Sequence, residues 1–234
     1  MPVPPIVPVL ALTAAFLGAA ATIFIRQGLR GSDAYTGFWV NVVVGALGSW
    51  IAVAVTGGPG PVTATALAFF VLAGLVGTVL LSMSGQHLGF RPRLLVYPLL
   101  SATCFGLVSI LRKIGLGGAG PIIGMALNVT TAAVAFGAFM LASGQRGALI
   151  CRRRPLAYFV AAGLMENAAV FLNLVALGMG TVSLVTPLYG SSPIFVLLLS
   201  FFFLRGIERL TGRIVAGTLL IVLGIYLLTA LSGR

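Results

Sequence analysis

Acidic residues are nearly absent from this chain: 234 residues contain only Asp33, Glu166 and Glu208. Basic residues are few as well, with 13 arginines, one lysine (Lys113) and one histidine (His87). Charged residues make up 7% of the chain, against roughly 25% in soluble domains. That shortage excludes a water-soluble globule, because the chain is 59% hydrophobic with a mean hydropathy of +1.15. No soluble core hides that much apolar surface, so lipid must be the solvent.

The scarcity of acid and histidine also argues against an enzyme, which needs a cluster of nucleophile, base and orienting groups. It leaves too few oxygen ligands for a divalent-cation cage. Cys104 sits in an apolar run and Cys151 in an arginine-rich loop. Two such cysteines build no disulfide framework, and with one histidine they build no zinc site. There is no phosphate-binding glycine loop, so the chain has no ATP drive of its own and no cofactor is expected. The basic residues lie singly or in short groups between apolar runs, which argues against nucleic acid as a partner.

What the chain has is apolar runs of spanning length. About 20 residues cross a hydrocarbon core, and eight such runs are read at 6–25, 35–55, 65–88, 94–111, 121–142, 156–177, 182–204 and 214–231. The expected fold class is an all-α integral membrane protein with about eight transmembrane helices. The start of the chain, 1–8, is proline-rich with no basic segment, so the first run reads as a retained span rather than a cleaved signal. Gly57-Gly58-Pro59-Gly60-Pro61 marks a turn.

The runs repeat. Leu67-Ala-Phe-Phe-Val-Leu-Ala-Gly-Leu75 returns 89 residues later as Leu156-Ala-Tyr-Phe-Val-Ala-Ala-Gly-Leu164, and Leu88-Gly89 falls on Leu177-Gly178. At an offset of 87, Gly28, Gly31, Gly37 and Asn41 fall on Gly115, Gly118, Gly124 and Asn128. Spans one to three therefore match spans four to six, and the last two have no partner in the first copy. The domains read as a shortened first repeat of three helices over 1–93 and a five-helix repeat over 94–234. Three is odd, so the second copy starts on the opposite side of the membrane, which makes the repeats inverted. The loops after spans one, three, five and seven hold eleven of the fourteen Arg/Lys residues. The positive-inside bias puts that side in the cytoplasm and both termini outside.

Val185-Thr186-Pro187-Leu188, Ser192-Pro193, the stretch Gly206 to Thr211, Gly217 and Gly224 to Leu228 carry a family likeness. They resemble the C-terminal hairpin of EamA-type transporters in the drug/metabolite transporter superfamily. The resemblance implies two inverted five-helix repeats around a central cavity, here with the first repeat shortened by two helices. It implies a multi-pass protein of a plasma membrane, the bacterial inner membrane in particular. The implied partners are the bilayer and a small-molecule substrate. A homodimer or a second membrane protein would complete the bundle.

Glu166 is the one acid well inside a span, at the position where the first copy has Gly77. A carboxylate there costs about 2.5–3.5 kcal/mol on insertion scales, so it should face a cavity or a partner. Asn173 lies two turns on along the same face, and Asn167, about 100° round, is a candidate hydrogen-bond partner. Asn41 and Asn128, related by the duplication, either contact substrate or stitch helices together. Pro187 and Pro193 kink the seventh span, whose Thr186, Tyr189 and Ser192 make it polar, as in helices that line substrate sites. The alternative is a kink that serves packing alone. Arg26, Lys113, Arg152 to Arg154, Glu208, His87, Trp39 and Trp50 read as interfacial or packing residues.

These readings make a secondary transporter or exporter of a small metabolite, coupled to protons through Glu166, the leading expectation. The alternative is a non-transporting membrane protein that stabilises or regulates a partner transporter, suggested by the missing helix pair.

Overall fold

The computed structural model describes residues 4–83, 96–144, 147, 151, 153–203, 217, 220, 223 and 224. Every regular element among them is an α-helix. In order these are α1 (Ile6–Gly28), α2 (Ala34–Val55), α3 (Ala64–Met83), α4 (Val96–Gly115), α5 (Pro121–Ala142), α6 (Arg153–Met179), α7 (Val182–Tyr189) and α8 (Ser192–Phe203). Five described stretches are long and apolar enough to cross a membrane: Ile6–Gly28, Ala34–Val55, Pro121–Ala142, Arg153–Met179 and Val182–Phe203. At 1.5 Å per residue, the 23 residues of α1 reach about 34 Å, enough for the hydrocarbon core.

The helix ends follow local chemistry. Asp33 caps α2: its carboxylate accepts from the Thr36 amide at 2.7 Å and from the Thr36 hydroxyl at 2.9 Å. The turn after α2 holds Gly57, Gly58 and Gly60 at positive φ (95°, 104° and 62°), a backbone region that side chains disfavour. Pro121 opens α5, where its missing N–H leaves nothing unpaired.

The fifth span coincides with its expected range. Two others differ. The sixth begins earlier, because Arg153 and Arg154 form the first turn of α6 rather than a linker. Both are exposed there, so long apolar stems can lie on the helix while the charges stay in water. The seventh span is not one kinked helix but two helices, α7 and α8, separated at Gly190-Ser191. Pro187 and Pro193 flank that break, and each removes a backbone donor from the helical ladder. The end of the third span (84–88), His87, Glu208 and most of the eighth span lie outside the described residues. Of that eighth span, positions 217, 220, 223 and 224 are helical.

Two compact units emerge, and each draws helices from both sequence copies. Unit 1 comprises Met1–Ser32 with Arg152–Arg234, and unit 2 comprises Asp33–Cys151. In unit 1, α1 packs along α6 and also meets α7 and α8. Its buried face is small: Ala11, Ala14, Ala15, Ala19 and Ala21 are fully buried, as are Ala162 and Ala169 of α6. Small faces let two helices approach closely where lipid supplies no hydrophobic drive. In unit 2, α3 packs on α4 and α5, and α2 packs on α5. There Phe136 and Met140 form a buried cluster with Tyr35, Phe38, Trp39 and Phe139, with Phe38 edge-on to Phe136 at 4.6 Å between ring centres.

One packing device occurs once in each unit. In unit 1 the Phe159 ring lies on Gly28, so close that a Cβ there would sit 2.5 Å from the ring. In unit 2 the Phe70 ring lies on Gly115, where a Cβ would sit 2.8 Å away. Phe70 and Phe159 are 89 residues apart and Gly28 and Gly115 are 87 apart, the two offsets of the sequence duplication. Pro155 beside Gly31 and Ala66 beside Gly118 form a second such pair.

Candidate functional site

In unit 1, polar groups of α6 and α7 come together beside α1. Gly18 of α1 presents bare backbone: a Cβ there would lie 3.7 Å from the Tyr189 hydroxyl and 3.9 Å from Glu166 Oε2. The carboxylate of Glu166 and the phenol of Tyr189 thus both lie beside the α1 backbone at Gly18. Thr22, one turn on, donates its hydroxyl to the Gly18 carbonyl at 2.9 Å, so that oxygen is engaged within α1. Glu166 is half-buried.

Asn173 extends this polar face along α6. It is only 4% exposed, and its amide makes no hydrogen bond among the described residues. On α7, the Thr186 hydroxyl oxygen is buried and has no hydrogen-bond partner among the described residues. Buried polar groups are nearly always paired, and the Thr186 hydroxyl is an exception among the described residues. At the break beyond α7 the chain bonds to itself. Gly190 N–H still donates to the Thr186 carbonyl at 2.8 Å, and the Ser191 hydroxyl turns back to the Leu188 carbonyl at 2.6 Å. Ser192 opens α8 half-buried, followed by Pro193. The residues Glu166, Asn173, Thr186, Tyr189 and Ser192, with both prolines, thus all belong to unit 1.

Asn167 does not pair with Glu166. Its amide donates to the Gly163 carbonyl at 2.5 Å, within its own helix. Helical geometry puts that carbonyl one turn below, nearer than a side chain 100° round.

Asn41 and Asn128 belong to unit 2. Asn41 is half-buried on α2. Asn128 is 5% exposed and bridges three helices: it accepts from Arg112 Nη2 at 2.6 Å and donates to the Phe70 carbonyl at 3.3 Å. Arg112 reads in the sequence as part of a charged helix end, yet it reaches inward from the last turn of α4. Nothing in the local spacing marks that, because Asn128 lies 16 residues on in another helix. Trp50 donates its indole N–H to Thr130 at 2.8 Å, and Trp39 packs on Gly137. Gly18 is the site residue that sequence reasoning missed. Its one signal is a small residue within the run Leu17-Gly-Ala-Ala-Ala21.

No group of three or more His, Cys, Asp or Glu side chains comes together among the described residues. Five apolar stretches of spanning length among the described residues define a multi-pass membrane protein. Residues 93–230, well over half of the chain, match the EamA-like transporter family. The chain belongs to that family. Among curated proteins, none matches it significantly.

Proposed function

We propose that the protein is a secondary transporter of a small metabolite, with Glu166 in the pathway as the group that exchanges a proton or meets the substrate. The observation that carries this reading is the meeting of the Glu166 carboxylate and the Tyr189 hydroxyl beside Gly18. Intramembrane acids face an interior cavity or a partner by default, and broken helices often line substrate sites. Asn173 and Thr186 are then the unspent polar groups for substrate. The ring-on-glycine contacts that recur at the duplication offsets support two related three-helix halves in inverted orientation, with the second continued by the broken pair. The positive-inside bias supports a cytoplasmic side at the end of α1 and the start of α6, in a plasma membrane.

The test compares cells expressing wild type with cells expressing Glu166→Gln at equal membrane levels. Small metabolites are profiled in medium and cytoplasm at two external pH values. The expected result is a solute displaced by wild type, with a pH-dependent rate, and not displaced by Glu166→Gln. A solute moved equally by both variants would remove Glu166 from the pathway.

A further inference from the structure

At one end of unit 1, away from Glu166, the chain forms an open cleft of about 440 Å³. That is within the roughly 300–1,000 Å³ of small-ligand clefts. Its polar lining is Gln27 from the end of α1, Arg30 from the turn that follows, and Arg154 and Tyr158 from the first turns of α6. Pro155 and Phe203 give it an apolar side. Among the described residues, neither arginine side chain makes a hydrogen bond or ion pair. No acid is among the described lining residues.

Two guanidinium groups turned to one cleft repel each other unless an anion lies between them. An amide and a phenol beside them add neutral donors. Guanidinium groups favour flat, bidentate pairing with carboxylate or phosphate. Phe203 is 65% exposed and Tyr158 40% exposed, so the cleft is a surface with an oily wall rather than a closed polar pocket. A phosphate with an apolar body attached meets both halves of that lining. The charge bias expects this end on the cytoplasmic side, where anionic lipids concentrate and basic clefts between helices take their headgroups.

We infer that this cleft, through Arg30 and Arg154, binds a phosphate group, that of an anionic phospholipid being the form that fits both its charge and its apolar side. The site rests on the cleft alone and is independent of the transport reading.

The test uses the purified full chain in detergent. Native mass spectrometry counts bound phosphatidylglycerol, with phosphatidylcholine as the zwitterionic control, for wild type, Arg30→Gln/Arg154→Gln and Arg30→Lys/Arg154→Lys. Calorimetry with inorganic phosphate runs in parallel on the same three proteins. The expected result is one saturable phosphatidylglycerol, bound about tenfold more weakly by the glutamine pair and intermediately by the lysine pair, as charge without the bidentate fork predicts. Saturable inorganic phosphate binding lost in the glutamine pair, with lipid binding unchanged, would assign the same site to a soluble phosphate. Lipid and phosphate binding that both ignore the arginine pair would overturn the inference. Melting temperatures check that the variants fold. Should the glutamine pair fail to fold, the lysine pair decides alone: a drop below wild type supports the site, and no change refutes it.

Discussion

Adding one methyl group at Gly28 should loosen unit 1, by an amount the packing allows to be worked out. A Cβ there would lie 2.5, 2.8 and 2.9 Å from three carbons of the Phe159 ring. Carbon atoms rest at about 3.5–4.0 Å, so the ring or the helix must give by about 1 Å. The ring is fully buried and has little room to move. Overpacking of this kind costs about 1–3 kcal/mol. The gain in helix propensity from Gly to Ala offsets about 0.5–1 kcal/mol. The net expectation for Gly28→Ala is a loss of about 1–2 kcal/mol. Gly48→Ala is the control, since nothing lies within 4 Å of a Cβ there, and it should be neutral or slightly stabilising. Phe159→Leu should relieve the clash, so the double variant should be more stable than additivity predicts by about 1 kcal/mol. Reversible unfolding in mixed detergent micelles, followed by circular dichroism, reads all four proteins. A Gly28→Ala protein as stable as wild type, or no coupling to Phe159→Leu, would refute the packing argument. Gly115→Ala, on the Phe70 ring, should lose stability with the same sign and a smaller size, because its Cβ would sit 2.8 Å away.

Three further outcomes are expected. Gly18→Ala should retain transport and Gly18→Leu should lose at least about tenfold: a methyl fits at 3.7 Å from Tyr189, whereas a larger group fills the space a substrate would need; uptake assays at matched expression check this. Asn128→Leu should destabilise the chain by about 1–2 kcal/mol by leaving Arg112 without that acceptor, and Arg112→Met in the same chain should recover part of it, read by thermal unfolding. Asp33→Ala should cost about 1 kcal/mol through loss of the α2 cap, with Asp33→Asn nearly neutral, in the same unfolding assay.

The sequence marks helix starts and stops where one residue's chemistry is enough. Pro121, Asp33 and the glycines after α2 are of that kind, because caps and positive-φ turns depend on neighbours within four residues. The broken seventh span was half legible: Pro187 and Pro193 announce a disturbance, but whether a helix bends or parts depends on what the freed backbone groups bond instead. Glu166, Asn173, Thr186 and Tyr189 could each be named from polarity in an apolar run. Gly18 could not, since a glycine in such a run carries no sign of what stands opposite. Arg112 reads as a helix-end charge, and only its approach to Asn128 shows that it reaches inward.

Sequence alone determined that this chain lives in lipid, that it is helical and that it carries a duplication, because hydropathy, run length and self-similarity are properties of the chain itself. Tertiary structure decided which helices pair. The first helix of one copy packs on the third helix of the other, so each compact unit mixes both copies. Such pairing depends on how small faces such as Gly28 and Gly115 receive the rings of Phe159 and Phe70. That fit is between surfaces more than 40 residues apart, and no local pattern records it.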